Sequence, residues 1–191
     1  PCARKSGTYN LKKKCYNYLK MSDVVVEMPV PGWDGWFARD NGSLRSPHNN
    51  IVWGTPNNTG HRQVFVNHPE FSFERIRICI HRFIAMAFVH NPRPDIFVEV
   101  DHRDRDPSNN RPSNLRWLTH QLNTMNNGAK SAFFVKKWKK WRSMVTVQGK
   151  KNYLGWFKTE EEASKVSRAF RLKEFNRIYQ ELKTDYFRKI T

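Results

Sequence analysis

The chain has 191 residues, of which 34 are Lys or Arg and 17 are Asp or Glu, so its formal net charge is +17. Hydrophobic residues make up 38% and aromatic residues 14%, a content too high for a wholly disordered basic protein. The longest apolar run, 83–89, is far shorter than the ~20 residues that a membrane-spanning helix needs. The composition therefore predicts a folded protein that does not cross a membrane.

The charge is distributed unevenly along the chain. Residues 1–20 carry 6 basic and no acidic side chains, residues 21–127 carry 11 of each, and residues 128–191 carry 17 basic and 6 acidic ones. So large a positive charge favours a polyanionic partner, and charge alone leaves nucleic acid and an anionic membrane surface as alternatives. The basicity lies in the two flanks of a neutral middle.

The number and spacing of the cysteines indicate whether to expect disulfides or a cysteine-ligated metal, and in which kind of cell compartment. Cys2, Cys15 and Cys79 are odd in number and form no CxxC pair. This pattern argues against a disulfide framework and against a cysteine-ligated zinc site, so no structural zinc is expected. It is typical of a reducing, intracellular compartment.

The first half of the chain divides into an arm and a module. Residues 1–20 have few apolar positions and are predicted to be a basic arm that orders on binding. Residues 21–92 are predicted to form a β-rich module, because turn signals such as Asp40-Asn41-Gly42 interrupt short apolar stretches. Ile76 to Ile80 alternate as a strand does, and the run 83–89 predicts a short lead-in helix.

Residues 93–127 show the order strand, loop, strand, helix. The segment 96–102 is predicted to be a strand, and a loop rich in Asp, Pro, Ser and Asn follows it. Residues 114–118 predict a second strand. Thr119 is a suitable cap for a helix that continues through Asn127.

Residues 128–191 are predicted to form a self-contained unit of three strands and one helix. The strands are expected at 133–135, 141–147 and 152–157, with Gly149 in the turn between the last two. Thr159 followed by Glu162 predicts a capping box at the start of an amphipathic helix of five to six turns. The predicted fold class is therefore α+β.

Polar side chains converge in the middle segment at Asp101, His102, Asn114 and Asn123. Hydrolysis of a phosphodiester needs a base for the attacking water and a positive centre for the charge on phosphorus. Histidine titrates near pH 6.5 and suits the base, while the oxygens of Asp101 and Asn123 suit Mg²⁺ or Mn²⁺ better than zinc. Alone, this pattern also fits an exposed turn whose polar side chains satisfy backbone groups.

Geometry limits this hypothesis. Neighbouring side chains of an ideal strand point to opposite faces, so Asp101 and His102 converge only if the strand bulges or ends there. Of the other polar residues nearby, His81 is predicted to be a structural histidine with a local partner, and His120 to be exposed. Asp104 and Asp106 are predicted to form ion pairs with neighbouring arginines.

The wider string closely resembles the HNH homing endonucleases of phages and mobile introns, in the variant whose last motif residue is Asn. The resemblance is carried by Val-Asp-His-Arg-Asp at 100–104, by Asn-Asn-Arg-Pro-Ser-Asn-Leu-Arg-Trp at 109–117, and by Asn123 with Asn126-Asn127. Residues 33–45 look like the small module that often precedes such nucleases, and 81–88 like the helix that leads into the catalytic strand. Residues 141–163 resemble the Apetala-type (ethylene-response-factor) DNA-binding domain.

The resemblance implies a ββα-metal nuclease core at 93–127, between an N-terminal β-rich module and an Apetala-like domain at 128–191. It implies that Asp101 and Asn123 bind Mg²⁺ or Mn²⁺, that His102 activates water and that Asn114 holds the loop that orients His102. The implied products are a 5′-phosphate and a 3′-hydroxyl, and the implied setting is the cytoplasm of a phage-infected bacterium. Arg105 stands where many relatives have Gly, and Arg reaches positive φ less readily.

Double-stranded DNA is the expected partner, and a monomer and a homodimer both remain open. The predicted DNA contacts are basic side chains of the C-terminal unit that surround tryptophans, together with one arginine of the core. They are Lys136, Lys137, Lys139, Lys140, Arg142, Lys150, Lys151 and Arg116. Two alternatives are a non-catalytic DNA-binding regulator and a basic protein that binds RNA or a ribonucleoprotein.

Overall fold

The computed structural model of the protein describes residues 24–69, 74–126 and 131–190, with side chains up to residue 184. The predicted arm, 1–20, and the predicted helix end at Asn127 lie outside the described residues. Within the described ranges, none of the helices combines the length and the hydropathy that a membrane crossing requires. The predicted α+β class is confirmed.

The N-terminal module consists of two antiparallel sheets and a helix. One sheet has the order β1-β2-β3-β4 and the other the order β5-β6-β7. Helix α1 (Ile80–Phe88) buries one apolar face against them, and its Phe83 packs 4.9 Å from the ring of Trp33. The strands are β1 (Glu27–Pro29), β2 (Phe37–Arg39), β3 (Leu44–Arg45), β4 (Ile51–Val52), β5 (Thr55–Pro56), β6 (Arg62–Asn67) and β7 (Arg75–Cys79).

Two tight turns of this module pack closely against the loop 103–111. Gly42 has φ +90°, and a Cβ there would lie 3.1 Å from the backbone of Asn110. Gly60 has φ +84°, and a Cβ there would lie 2.8 Å from Pro107. Both turns need glycine for its positive φ and for the close approach, and together they place residues 57–61 beside that loop.

The middle segment is a ββα unit. Strands β8 (Glu99–His102) and β9 (Leu115–Leu118) pair antiparallel, with Asp101 opposite Arg116 and His102 opposite Leu115. A 3₁₀ turn at Pro112–Asn114 precedes β9. Helix α2 (His120–Asn126) follows, and the Thr119 hydroxyl accepts a hydrogen bond from the Leu122 amide at 3.2 Å, which is the expected cap.

The C-terminal segment contains the three strands and the helix that were expected. Strands β10 (Ala132–Val135), β11 (Lys140–Val147) and β12 (Lys150–Phe157) form one antiparallel sheet. Gln148 and Gly149 have φ +49° and +75°, as a two-residue hairpin turn of type I′ requires. The Glu162 amide donates to the Thr159 hydroxyl at 3.2 Å and the Glu162 carboxylate accepts from the Thr159 amide at 3.4 Å, which completes the capping box.

Helix α3 (Glu160–Ile190) has 31 residues and is longer than expected. Its first turns pack on the sheet, where the Ser143 hydroxyl donates to the Ala163 carbonyl at 3.0 Å. Further along, Tyr179 stacks on the buried Phe97 with ring centroids 5.5 Å apart. Helix α3 therefore packs against both the C-terminal sheet and the core of the ββα unit.

Candidate active site

Three of the four predicted catalytic and metal-binding residues meet at one pocket. Asp101, His102 and Asn123 line a pocket of about 250 Å³ together with His61 and Arg105. Strand β8 ends at His102, and the side chains of the neighbouring residues Asp101 and His102 both border this pocket. Asp101 and His102 are only 4% and 5% exposed, which removes the reading of this segment as a fully exposed turn.

The carboxylate of Asp101 is held by two other side chains. Arg116 donates to its Oδ2 from Nε at 2.8 Å and from Nη2 at 2.7 Å, and the Asn126 amide donates to Oδ1 at 2.9 Å. Asn126 also lies 3.0 Å from Oδ2, but among the described residues it is the one donor to Oδ1, so Oδ1 keeps an acceptor direction for a cation. Asn126 lies one helical turn after Asn123, which is why both amides reach the same edge of the hairpin.

Arg116, which was predicted to contact DNA, has two partners within the protein. Its side chain is 14% exposed, its guanidinium is used by Asp101, and its other surface covers the ring of Phe175 at 4.3 Å. An arginine with these contacts fixes the carboxylate in place. We therefore assign Arg116 to positioning Asp101.

Asn123 is oriented by an acid that the sequence analysis passed over. The Asn123 Nδ2 donates to Glu99 Oε2 at 2.6 Å, and Glu99 Oε1 lies 2.7 Å from Nδ1 of His120, which is exposed as predicted. Burial alone would raise the pKa of Glu99, but the hydrogen bonds from Asn123 and His120 outweigh it and lower that pKa. With Nδ2 committed, Oδ1 is the atom of Asn123 that remains for a hard cation.

His102 has a defined hydrogen-bond partner. Its Nε2 lies 3.0 Å from Oδ1 of Asn110, and because an amide oxygen only accepts, Nε2 carries the proton. The basic lone pair of the neutral ring is therefore on Nδ1. Asn110 is 3% exposed, and sequence reasoning noted it only within the motif string, without a role.

Asn114 joins the two ends of the loop that follows β8. Its Oδ1 accepts from the Asp104 amide at 3.1 Å, and its Nδ2 donates to the Asp104 carboxylate at 2.9 Å and to the Asn109 carbonyl at 2.8 Å. Within the described ranges, Asp104 and Asp106 form hydrogen bonds of this local kind and no ion pair with Arg103, Arg105 or Arg111. The predicted ion pairs are wrong, because turn amides and side chains of the loop take both carboxylates.

Arg105 adopts the conformation that glycine prefers, with φ +66°. We expect Arg105→Gly to raise the free energy of unfolding by up to ~1 kcal/mol, because the left-handed strain of a non-glycine residue is relieved. The same change removes a cation from the pocket and should slow any reaction on a phosphate there. Urea denaturation and a cleavage assay on one preparation measure the two effects, and a variant that loses both stability and activity would contradict this account.

Two further histidines lie against His102, and neither was predicted to be there. The ring centroid of His81 is 5.0 Å from that of His102, and that of His61 is 5.5 Å from it. Burial first, and then the electrostatic interactions with His102, His61 and Arg82, lower the pKa of His81 to about 3. Burial and His102 also lower the pKa of His61. Both rings are therefore neutral at pH 7.

His81 differs from the structural histidine that was expected. Its side chain is buried, yet its Nδ1 has no hydrogen-bond partner among the described residues. The expected local partner is thus absent at that nitrogen. His61 was missed because it lies 41 positions before His102 and reaches it only through the β5–β6 turn.

A basic cleft lies on the other side of Asp101. It has a volume of about 200 Å³, and arginines from the loop, from β9 and from α3 line it. These are Arg103, Arg105, Arg116, Arg168 and Arg171. Burial and the nearby charge of Arg105 lower the pKa of Arg171. Arg168 and Arg171 could not be placed here from local patterns, because α3 reaches the core by a long-range contact.

The other predicted DNA contacts lie on the C-terminal sheet, away from the pocket. The strand register places the half-buried Arg142 between Phe133 and Trp156, and its Nε is buried without a partner in the part of the chain that the structure describes. Trp138 and Trp156 are 54% and 43% exposed and meet edge to face at 4.5 Å. The exposed lysines of this unit are Lys136, Lys137, Lys139, Lys140, Lys150 and Lys151.

The middle of the chain is similar to known proteins. Residues 80–125 match the model of a family described as HNH endonuclease. The matched segment contains α1, β8, β9 and nearly all of α2, so it includes the pocket residues Asp101, His102 and Asn123. The segment 80–125 is therefore similar to HNH endonucleases.

Two individual proteins are also similar to parts of this chain. An uncharacterized HNH endonuclease of Acanthamoeba polyphaga mimivirus is 27% identical over 108 residues, which cover 56% of this chain and only 27% of the viral protein. A solved structure of the HNH homing endonuclease I-HmuI, described as binding and cleaving DNA, covers 67% of this chain and 76% of its own, with 18% identity and a TM-score of 0.47. These comparisons do not support the predicted Apetala-type identity of residues 128–191.

Proposed function

We propose that the protein is a DNA endonuclease of the homing type that depends on a divalent metal ion. The observation that carries the proposal is the convergence of Asp101, His102 and Asn123 on one pocket of a ββα unit. The unit lies within the segment that matches the HNH endonuclease family. Because the matched region covers about a quarter of the viral relative, the activity of the whole protein is inferred from the site.

The donors at this pocket fit a hard cation. Asp101 and the Oδ1 of Asn123 would hold Mg²⁺ or Mn²⁺, leaving positions for water and substrate oxygens. The bound ion would stabilise negative charge on the phosphate under attack. Glu99 and Arg116 keep the two ligands in their orientations through the contacts described above, in the manner of outer-shell partners at metal sites.

His102 supplies the base in this proposal. Its Nδ1 takes a proton from the attacking water, and the resulting imidazolium donates from Nε2 to Asn110. Asn114 holds the loop that carries Asn110 and so fixes that partner. Cleavage of the bond to the 3′ oxygen leaves a 5′-phosphate and a 3′-hydroxyl.

Two basic surfaces would hold the DNA. The arginine-lined cleft beside Asp101 suits the phosphates next to the cut. The C-terminal sheet, with Arg142 between exposed aromatic rings and lysines at its edges, suits a groove of the duplex farther away. An Apetala-like mode of binding for residues 128–191 is part of this proposal.

Supercoiled plasmid carrying candidate target sequences tests the proposal. With Mg²⁺ or Mn²⁺ we expect open circles if one strand is cut and linear DNA if two copies act together, and a chelator should stop the reaction. End labelling should detect 5′-phosphates. Binding to duplex DNA without a metal-dependent product would instead favour a non-catalytic regulator, and a preference for RNA of matched length would overturn the choice of substrate.

Replacing Lys136, Lys137, Lys139 and Lys140 together with Gln should weaken binding to all duplexes to a similar extent. Each phosphate contact adds about 0.9 to the slope of log Kobs against log salt, so four lost contacts should reduce the slope by about 3–4. Fluorescence anisotropy across a salt series measures it. Lys165→Gln with Lys173→Gln, two exposed lysines of α3, is the control; an equal loss in both sets would show a general charge effect instead of a docking face.

A further inference from the structure

Three imidazoles form a cluster on the His102 side of the pocket. One ring nitrogen from each of His61, His81 and His102 lies within 4.8 Å of the other two. In a tetrahedral zinc site the Zn–N distance is ~2.0–2.1 Å, which puts ligand nitrogens ~3.4 Å apart. Small side-chain rotations therefore suffice to bring the three nitrogens to ligand distance.

The hydrogen bonds around the cluster are those that metal-binding histidines make. His102 donates from Nε2 to Asn110, which leaves the lone pair of Nδ1 unused. The Thr59 hydroxyl gives its proton to Asn57 Oδ1 at 2.8 Å, so at 2.8 Å from His61 it must accept from Nδ1–H. The lone pair of His61 is thus on Nε2. Histidine ligands usually donate their other N–H to an oxygen in this way.

His81 gives the second, independent indication. It is 7% exposed, and its Nδ1 has no hydrogen-bond partner among the described residues although it is fully enclosed. A buried polar atom without a partner is unusual, and binding of an ion would satisfy it. No carboxylate belongs to the cluster, so its donors are all nitrogen.

We propose that His61, His81 and His102 bind Zn²⁺, at a site separate from the oxygen donors Asp101 and Asn123. Imidazole nitrogens prefer borderline transition metals such as Zn²⁺, whereas Mg²⁺ and Mn²⁺ prefer oxygen. The two sites therefore select different ions. Since Zn²⁺ takes the lone pair of His102, its binding inhibits DNA cleavage in the presence of Mg²⁺; this second part rests on the proposed function.

Calorimetry on the untagged full chain tests the site without any cleavage assay. We expect one Zn²⁺ per chain, and His61→Ala should weaken the affinity by at least ~10-fold. His81→Asn should weaken the affinity in the same way. If this variant of a buried residue does not fold, the variant of the partly exposed His61 still tests the site. His48→Ala, an exposed histidine outside the cluster, and Asp101→Asn should bind as the wild type does. Loss of binding in Asp101→Asn, or unchanged binding in His61→Ala, would overturn the site.

Inhibition is measured separately. Rising Zn²⁺ at constant excess Mg²⁺ should slow plasmid nicking, and a chelator selective for Zn²⁺ should restore it. For His61→Ala, the Zn²⁺ concentration that halves the variant's own zinc-free rate should be at least ~10-fold higher than for the wild type. Zn²⁺ binding without inhibition would refute the regulatory part. Absence of all Mg²⁺-dependent cleavage would refute the proposed function, while calorimetry would still decide on the zinc site.

Discussion

Replacing His102 with alanine should slow cleavage of target DNA by ~10²–10⁴-fold while leaving DNA affinity unchanged, because the pocket loses its base and no phosphate contact. Single-turnover rates at saturating enzyme measure the first quantity, and anisotropy with a labelled duplex in the presence of Ca²⁺ measures the second. His48→Ala, in an exposed turn, is the matched control. Cleavage at the wild-type rate in His102→Ala would remove this residue from the mechanism.

Asn110→Ala separates the base from its support. It removes the acceptor at 3.0 Å from His102 Nε2 but leaves the imidazole in place. If Asn110 stabilises the protonated ring, its removal makes His102 a weaker base, so the acid limb of the pH profile of cleavage should shift to lower pH. A rate loss with an unchanged profile would indicate that Asn110 acts on loop structure alone.

Asp101→Asn should reduce cleavage at a fixed metal concentration by ~10²–10³-fold, because the neutral amide is a weaker ligand for a divalent ion. Asn is the right replacement, since alanine would leave the largely buried Arg116 without its partner and cost about 3–5 kcal/mol of stability. The measurement is the Mg²⁺ dependence of the nicking rate, with circular dichroism to verify folding.

The shape of that metal titration decides the interpretation. A variant that recovers part of its rate at high Mg²⁺ or Mn²⁺ has lost metal affinity, as expected. Ser113→Ala, an exposed residue of the same loop that makes none of the contacts described above, is the control. A normal Mg²⁺ dependence in Asp101→Asn would place the metal elsewhere and contradict the ligand assignment.

Local sequence chemistry predicted the ββα order and the C-terminal hairpin well, because caps and turns leave short-range signals. Thr119 and Thr159 sit at helix starts, and Gln148-Gly149 forms the hairpin turn. The first strand of the ββα unit was predicted too long. Residues 93–97 instead form a turn in which the Phe97 amide donates to the Arg93 carbonyl at 2.7 Å, and the Phe97 side chain is buried in the core.

The surroundings of the site were less predictable, because they depend on contacts between distant segments. Asp101, His102 and Asn123 could be named from the motif and its resemblance to a family. Glu99, which orients Asn123, was not predicted, and Asn126, which holds Asp101, was noted only within the motif string, without a role. His61 reaches the pocket through tertiary packing, which sequence spacing does not report.

Helix α3 has a mechanical consequence for where the DNA would be cut. Its 31 residues extend ~46 Å at 1.5 Å per residue, with one part packed on the C-terminal sheet and another on the ββα unit. The C-terminal sheet and the ββα unit are thus connected by one continuous helix. Each residue inserted between the two packed parts of the helix would move the sheet relative to the pocket by ~1.5 Å and rotate it by ~100°. In the proposed function, the helix would therefore set the distance between the DNA sequence bound by the sheet and the scissile bond.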